Sequence, residues 1–170
     1  VQKDSSLQFR KPILADSPQL YALVVRSKPL DVNSRYAYML VASHFQGTSV
    51  VATQEGRVVG FVSAYALPQS PQTLFVWQVA VDEGIRGQGL AVQMVEHLLQ
   101  RLPAIQWIHT TITPSNLPSR RLFERIALAH EATIEQEVGF EGALFGEEGH
   151  EAEVLYTIGP LHVKDKNESI

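Results

Sequence analysis

A chain of 170 residues suits one domain and is too short for two full-sized cores. With 45% hydrophobic and 19% charged residues, a net charge of −4 and no basic block, it is an ordinary globular composition and a poor non-specific binder of nucleic acid phosphates. It has no cysteine, which excludes disulfide scaffolds, thiolate metal sites and cysteine nucleophiles.

Leu7–Arg10 reads as a first strand. Asp16-Ser-Pro18 then looks like a helix start, a capping-type side chain followed by proline in the first turn, and Leu20, Leu23, Val24 and Ser27 share a face behind it. Pro29 and Asp31–Ser34 break the chain, and Asn33 or Ser34 caps a second helix through Phe45, with Tyr36, Met39 and Leu40 on one side. The apolar run in this helix, Tyr36–Ala42, is the longest of the chain and falls far short of the ~20 residues of a membrane span. Val1–Ser6 has no apolar core of a signal peptide, so no membrane partner and a cytoplasmic location are the default expectation.

Thr48–Thr53 and Arg57–Ala66 flank Gln54-Glu-Gly56, a hairpin signal, and Leu67–Gln72, with its two prolines, predicts a turn-rich loop. Thr73–Val81 is apolar on both faces, which predicts a central strand covered on both sides. A glycine-bearing loop leads into a helix over about Gly87–Leu102, with Leu90, Met94, Val95, Leu98, Leu99 and Leu102 as its buried stripe. Ile105–Thr113 is another strand, stopped by Pro114. Asn116–Ala129 is a helix with Leu122, Phe123 and Ile126 inward. Strands around Thr133–Val138 and Glu153–Ile158 enclose a glycine-rich loop, Gly139–His150. Strands interleaved with helices in this way predict an α/β (α+β) domain over residues 1–160, followed by a polar tail at 161–170.

The chemical signal is Val79-Ala-Val-Asp-Glu-Gly-Ile-Arg-Gly-Gln-Gly-Leu-Ala91, which passes from a buried strand through three glycines and an arginine into an amphipathic helix. A helix N-terminus offers unpaired N–H groups and the positive dipole end, and glycines let an anion approach the backbone, so the segment suits a pyrophosphate. It lacks the Gly-Lys-Ser/Thr ending of a triphosphate loop and the glycine spacing of the dinucleotide fingerprint. The plainer alternative is a glycine-rich turn with a surface arginine.

Arg86-Gly87-Gln88-Gly89-Leu90-Ala91 resembles the Arg/Gln-x-x-Gly-x-Gly/Ala signature of the Gcn5-related N-acetyltransferases. The strand ending Val79-Ala-Val-Asp82 and the later Asn116-Leu-Pro-Ser119-Arg-Arg-Leu-Phe123 are similar to that superfamily too, in the right order over residues 48–129. The resemblance implies a mixed, mostly antiparallel sheet of about seven strands flanked by about four helices, with acetyl-coenzyme A as cosubstrate. It places the cofactor's diphosphate on residues 86–91 and its pantetheine arm along Val79 and Val81, where two strands splay apart. Asn116 is expected beside the pantetheine or the leaving sulfur. Many relatives carry a tyrosine acid seven residues after that asparagine, where this chain has Phe123. The thiolate then leaves without that donor, or Asn116, a water or another tyrosine replaces it.

Lys28-Pro-Leu-Asp31-Val-Asn33-Ser-Arg-Tyr36, Leu74-Phe-Val-Trp77-Gln-Val79, Thr111-Ile-Thr-Pro-Ser-Asn116 and Leu144–Leu155, with its His150-Glu-Ala-Glu153, further resemble the L-2,4-diaminobutyrate acetyltransferase family. That resemblance implies a homodimer and acetylation of the γ-amine of diaminobutyrate on the route to ectoine. The alternatives are an acetyltransferase of another small amine and a non-catalytic coenzyme A sensor.

An amine must be neutral to attack a thioester, which at pH 7 costs an alkylammonium ~3 pK units, or about 4–5 kcal/mol, unless its surroundings help. Carboxylates beside an imidazole suit that work. Asp31 and Glu153 are the candidates for holding ammonium groups, Trp77 and Tyr36 for walling the pocket, and Glu153, directly or through a water or His150, for accepting the proton. Each has a plainer alternative: Asp31 as part of a helix cap, Trp77 and Tyr36 as core, and His150 with Glu147, Glu148, Glu151 and Glu153 as a solvated loop or weak divalent-ion site. No metal is expected. His44, His97, His109, His130 and His162 lack ligand spacing and read as structural or surface residues.

Overall fold

The computed structural model describes residues 6–146 and 149–162. The expected tail segment Lys164–Ile170 and the carboxylates Glu147 and Glu148 lie outside them. The described residues form two compact units, one reaching Tyr65 and including Val76–Leu102, the other comprising Ala66–Phe75 and the chain from Pro103 onward.

In the first unit, strand β1 (Gln8–Arg10) leads through a 3-10 turn to helix α1 (Ser17–Arg26). Asp16 does not cap α1 with its side chain. Its carboxylate takes a bidentate pair from Arg10, at 2.7 and 2.9 Å, and the Ile13 N–H at 2.8 Å, fixing the turn before the helix. Leu20, Leu23, Val24 and Ser27 are buried as their spacing predicts, and Ser27 Oγ donates to the Leu23 carbonyl.

Helix α2 (Arg35–Ser43) is capped by Ser34, whose hydroxyl accepts from Ala37 N–H, and it stops short of Phe45. Its inner face is Tyr38, Val41 and Ala42, whereas Tyr36 is 68% exposed and Met39 42%. Both triads obey the same helical spacing, so periodicity alone cannot choose between them. The choice falls to Tyr38, which closes a core of Leu20, Leu23, Val24, Val51 and Phe61 and finds a buried partner for its hydroxyl.

Strands β2 (Val50–Gln54) and β3 (Arg57–Leu67) pair antiparallel. The expected loop at Leu67–Gln72 is instead a two-residue turn, Pro68–Gln69, between β3 and strand β4 (Ser70–Val81). Pro71 fits because it stands at the exposed start of a strand. Along β4, Leu74, Val76, Gln78 and Ala80 are buried, while Phe75, Trp77, Val79 and Val81 are only partly covered, so the expectation of two covered faces holds for one. Helix α3 (Leu90–Arg101) buries Leu90, Met94, Val95, Leu98 and Leu99, starting three residues later than expected. Met94 lies where a side chain on Gly60 would go, with Sδ 2.8 Å from an added Cβ, so this glycine admits the helix to the sheet.

In the second unit, the start of β4 pairs parallel with strand β5 (Trp107–Ile112), Thr73–Phe75 facing Trp107–His109. Helix α4 (Leu117–Ala129) buries Leu122, Phe123, Ile126 and Ala127. Strand β7 (Glu153–Gly159) pairs antiparallel with β5 and with strand β6 (Thr133–Phe140), which runs past its expected end at Val138. The seven strands follow the order β1-β2-β3-β4-β5-β7-β6, and β4–β5 is the parallel pair. Beyond β7, Leu161 is buried and donates its N–H to the Gln106 carbonyl.

Candidate active site

The predicted site residues divide between the units. In the first, Trp77, Val79 and Val81 alternate with buried Gln78 and Ala80 and therefore share the less covered face of β4, with Trp77 45% exposed. Beyond the strand, Asp82 N–H donates to the Val59 carbonyl, and the Asp82 carboxylate accepts from Gly84 N–H at 3.1 Å in a turn closed on itself. The same carboxylate meets Arg26 at 3.4 Å. After a 3-10 turn at Glu83–Ile85, the Arg86 Nε–H donates to the Val81 carbonyl at 3.2 Å, folding the loop back on the strand end.

Gly87 and Gly89 have φ of +79° and +76°, and a Cβ on either would meet nothing within 4 Å. The left-handed backbone therefore requires glycine, and open space lies beside it. Gly89 is the N-cap of α3 and has no side chain to satisfy the first-turn N–H groups of Leu90, Ala91 and Val92. The Leu90 side chain is buried, so this residue can offer a ligand only its backbone. Gln88 is exposed. A cradle of glycines before a helix start without a capping side chain suits a diphosphate.

Asp31 is exposed, and its carbonyl accepts from Gln78 Nε2 at 2.6 Å. Capping of α2 falls to Ser34, so Asp31 and Asn33 are not needed for it. Tyr36 does not pack inward, and the neighbouring Arg35 guanidinium lies 4.0 Å over the Tyr21 ring.

In the second unit, Glu153 is half-buried at the start of β7 and accepts a hydrogen bond from Thr111 Oγ1. Thr111 pairs with Leu155, which makes Glu153 its diagonal neighbour across the ladder. Ser115 Oγ donates to the Glu151 carboxylate. The His150 ring stacks on Phe145 at 3.8 Å between centroids and 12° between planes, and its Nδ1 lies 2.7 Å from the Glu151 carbonyl. A carbonyl only accepts, so Nδ1 carries the proton, and in the neutral ring Nε2 carries the lone pair. Asn116 is the N-cap of α4: its Oδ1 accepts from Ser119 N–H at 3.2 Å, leaving its NH2 end as what it offers a ligand. Phe123 is 2% exposed, part of the apolar face of α4.

Of the remaining histidines, expected to be structural or at the surface, His44 and His162 are exposed. His97 stacks on Phe9, His109 meets Thr157, and His130 is buried against the His162 carbonyl. Burial, with the Arg101 charge beside it, pushes the His97 imidazolium to titrate lower than usual. Among the described residues no three metal-capable side chains cluster. Sequence reasoning missed Thr111, Tyr38 and Gln78. Thr111 could have been found from its diagonal register with Glu153, once β5 and β7 are paired.

The sequence model described as the acetyltransferase (GNAT) family matches residues 17–127. An L-2,4-diaminobutyric acid acetyltransferase of Streptomyces avermitilis is 44% identical over 165 residues, covering 95% of this chain and 92% of the relative. The chain belongs to the GNAT acetyltransferase family, among the L-2,4-diaminobutyric acid acetyltransferases. Another relative of that name, from Chromohalobacter salexigens, is 45% identical over 92% of this chain and 82% of its own length. Among solved structures, the diaminobutyrate acetyltransferase EctA of Paenibacillus lautus, in complex with its substrate L-2,4-diaminobutyric acid and coenzyme A, matches with a TM-score of 0.88. It is 38% identical, over 95% of this chain and 99% of that one. The ribosomal-protein-S18-alanine N-acetyltransferase of Escherichia coli matches at a TM-score of 0.66 with 15% identity, over 97% and 100% of the two chains, and shares the fold alone. This acetyltransferase has no helix among its described residues long and apolar enough to cross a membrane.

Proposed function

We propose that this acetyltransferase moves the acetyl group of acetyl-coenzyme A onto the γ-amine of L-2,4-diaminobutyrate, giving N4-acetyl-L-2,4-diaminobutyrate for ectoine synthesis. The observation that carries this reading is the 38% identical structure with diaminobutyrate and coenzyme A, matched over 95% of this chain. The chain's own residues fit the cofactor: two left-handed glycines beside open space, ahead of a helix start that has no capping side chain.

The cosubstrate supplies an activated acetyl carbonyl. The N–H groups around residues 86–91 hold its diphosphate, and Val79 and Val81 on β4 offer backbone to its pantetheine arm. Asp31 holds one ammonium of the substrate, while Trp77 and Tyr36, both exposed, form the wall. Glu153 takes the proton from the reacting nitrogen. The hydrogen bond from Thr111 fixes one carboxylate oxygen and leaves the other for the amine. His150 is the residue through which Glu153 would otherwise take that proton. Asn116 donates from its NH2 end toward the pantetheine or sulfur, because Phe123 has no proton to give.

The active form in this reading is a homodimer acting in the cytoplasm. Val138 and Phe140, exposed on β6 at the end of the sheet, support a partner there. Initial rates of thiol release with diaminobutyrate, ornithine, lysine and a peptide amine test the activity. Diaminobutyrate is expected to give the highest kcat/KM, with the acetyl group on the γ-nitrogen. Equal turnover of the other amines would overturn the substrate assignment, and cofactor binding without product from any amine would overturn the reaction.

A further inference from the structure

Gln78 is a buried amide on β4, 7% exposed, whose backbone N–H donates to the buried Ser63 hydroxyl at 3.2 Å. Both ends of its side chain are engaged. Oε1 accepts from the Tyr38 hydroxyl at 3.1 Å, and Nε2 donates to the Asp31 carbonyl at 2.6 Å. The same Tyr38 hydroxyl accepts the Asn33 N–H at 3.3 Å. Two buried side chains therefore grip the segment Asp31–Asn33 at both ends, one by a carbonyl and the other by an N–H.

Stability alone does not ask for this arrangement. An apolar pair of the same shape would be about as stable in that core, because a buried hydrogen-bonded pair gains little over the water it gave up. The gripped segment is itself largely exposed, so its peptide groups could hydrate without the buried pair. What the pair adds is position: a carboxylate that must meet an ammonium is worth most when its backbone cannot wander.

We propose that Gln78 and Tyr38 are positioning residues for substrate recognition, fixing the backbone of Asp31 so that its carboxylate meets the ammonium of the amine substrate. This rests on the reading of Asp31 as a substrate contact. Neither residue touches substrate in this proposal, and both act through Asp31.

The test uses Gln78→Met, which keeps length and loses both hydrogen bonds, and Tyr38→Phe, which loses the hydroxyl. Each is expected to raise KM for diaminobutyrate by about tenfold and to leave KM for acetyl-coenzyme A close to wild type, with a lower melting temperature because the other buried partner is left without its hydrogen bond. In an Asp31→Ala background, Gln78→Met is expected to add nothing further. Amide exchange at Val32 and Asn33, measured without substrate, is expected to speed up in both variants. An unchanged KM for the amine, or the same rise persisting in the Asp31→Ala background, would overturn the proposal. So would unchanged exchange at Asn33. Wild-type protein that acetylates no diaminobutyrate would instead overturn the activity, and the exchange measurement would still decide whether the grip exists.

Discussion

Gly139→Ala is the most exacting probe of how β6 and β7 hold Glu153. Gly139 stands where the register of the two strands shifts, between Val138, paired with Val154, and Phe140, paired with Glu153. A Cβ there would lie 2.5 Å from the Glu153 carbonyl oxygen and 2.9 Å from the Leu155 nitrogen, both inside the 3.0 Å that real Cβ atoms essentially never breach. Both neighbours are backbone and cannot rotate away, so β7 must move. Overpacking of this kind costs typically ~1–3 kcal/mol, and two backbone neighbours on β7 put this site in the upper part of that range. For a chain of this size 1 kcal/mol is worth roughly 2–4 °C, so the melting temperature should fall by about 4–12 °C. The displaced residue is Glu153, whose carboxylate is held by Thr111 one ladder step away. A misplacement approaching 1 Å should lower kcat by about 10- to 100-fold. Thermal unfolding and initial rates read the two effects. Gly47→Ala is the control, because nothing lies within 4 Å of its added Cβ, and its stability should stay within about 0.5 kcal/mol. If Gly139→Ala melts within a degree of wild type and turns over within twofold, the close approach of β6 to the Glu153 backbone is not what seats this residue.

Three further outcomes are open to measurement. Glu153→Gln removes the proposed proton acceptor, so log kcat/KM should climb by about one per pH unit from pH 7 to 9, following the neutral fraction of an amine with pKa ~10.4; a profile parallel to wild type would rule out Glu153 as the base. Burial pushes the Asp16 carboxyl upward, but the hydrogen bonds from Arg10 and the Ile13 N–H outweigh it and hold it below its ordinary value. Its stabilisation is therefore complete above the unfolded value near ~3.9 and is lost as pH falls through the folded one, so wild type should lose more stability than Asp16→Asn on acidification, and identical acid curves would contradict this. Gly89→Asn, which tolerates positive φ, should weaken coenzyme A binding by about tenfold by filling the open space, with little change in melting temperature; undiminished affinity would show that the cradle lies elsewhere.

Where local chemistry decides, the sequence could be read directly. The cap of α2, narrowed to Asn33 or Ser34 and found at Ser34, the stripe on α1 and the glycines of the loop at Gly87 and Gly89 each follow from a few neighbouring residues. Leu102, expected in the buried stripe of α3, is its half-buried C-cap, a difference of one residue at a fraying end. The inner face of α2 was not legible, because Tyr36 and Tyr38 head equally good helical triads and the arbiter is Gln78, forty positions away. Thr111 with Glu153 and Ser115 with Glu151 are likewise pairings across distant segments, and they leave no periodic trace. The open face of β4 misled for the opposite reason. Phe75, Val79 and Val81 look like core because apolar residues usually are, yet none of the described elements fully covers them.

The alternation of Trp77 and Gln78 on β4 also limits how this protein can change over generations. Their jobs lie on opposite sides of the sheet, so the gain or loss of a single residue between Ser70 and Trp77, if the ladder stays in step, would push the indole into the interior and turn the amide out to solvent. Length changes in that stretch must therefore come in twos, or be absorbed by a bulge before Trp77. Lineages that vary the β3–β4 connection should do so at Pro68–Gln69 and leave the parity of the following strand intact.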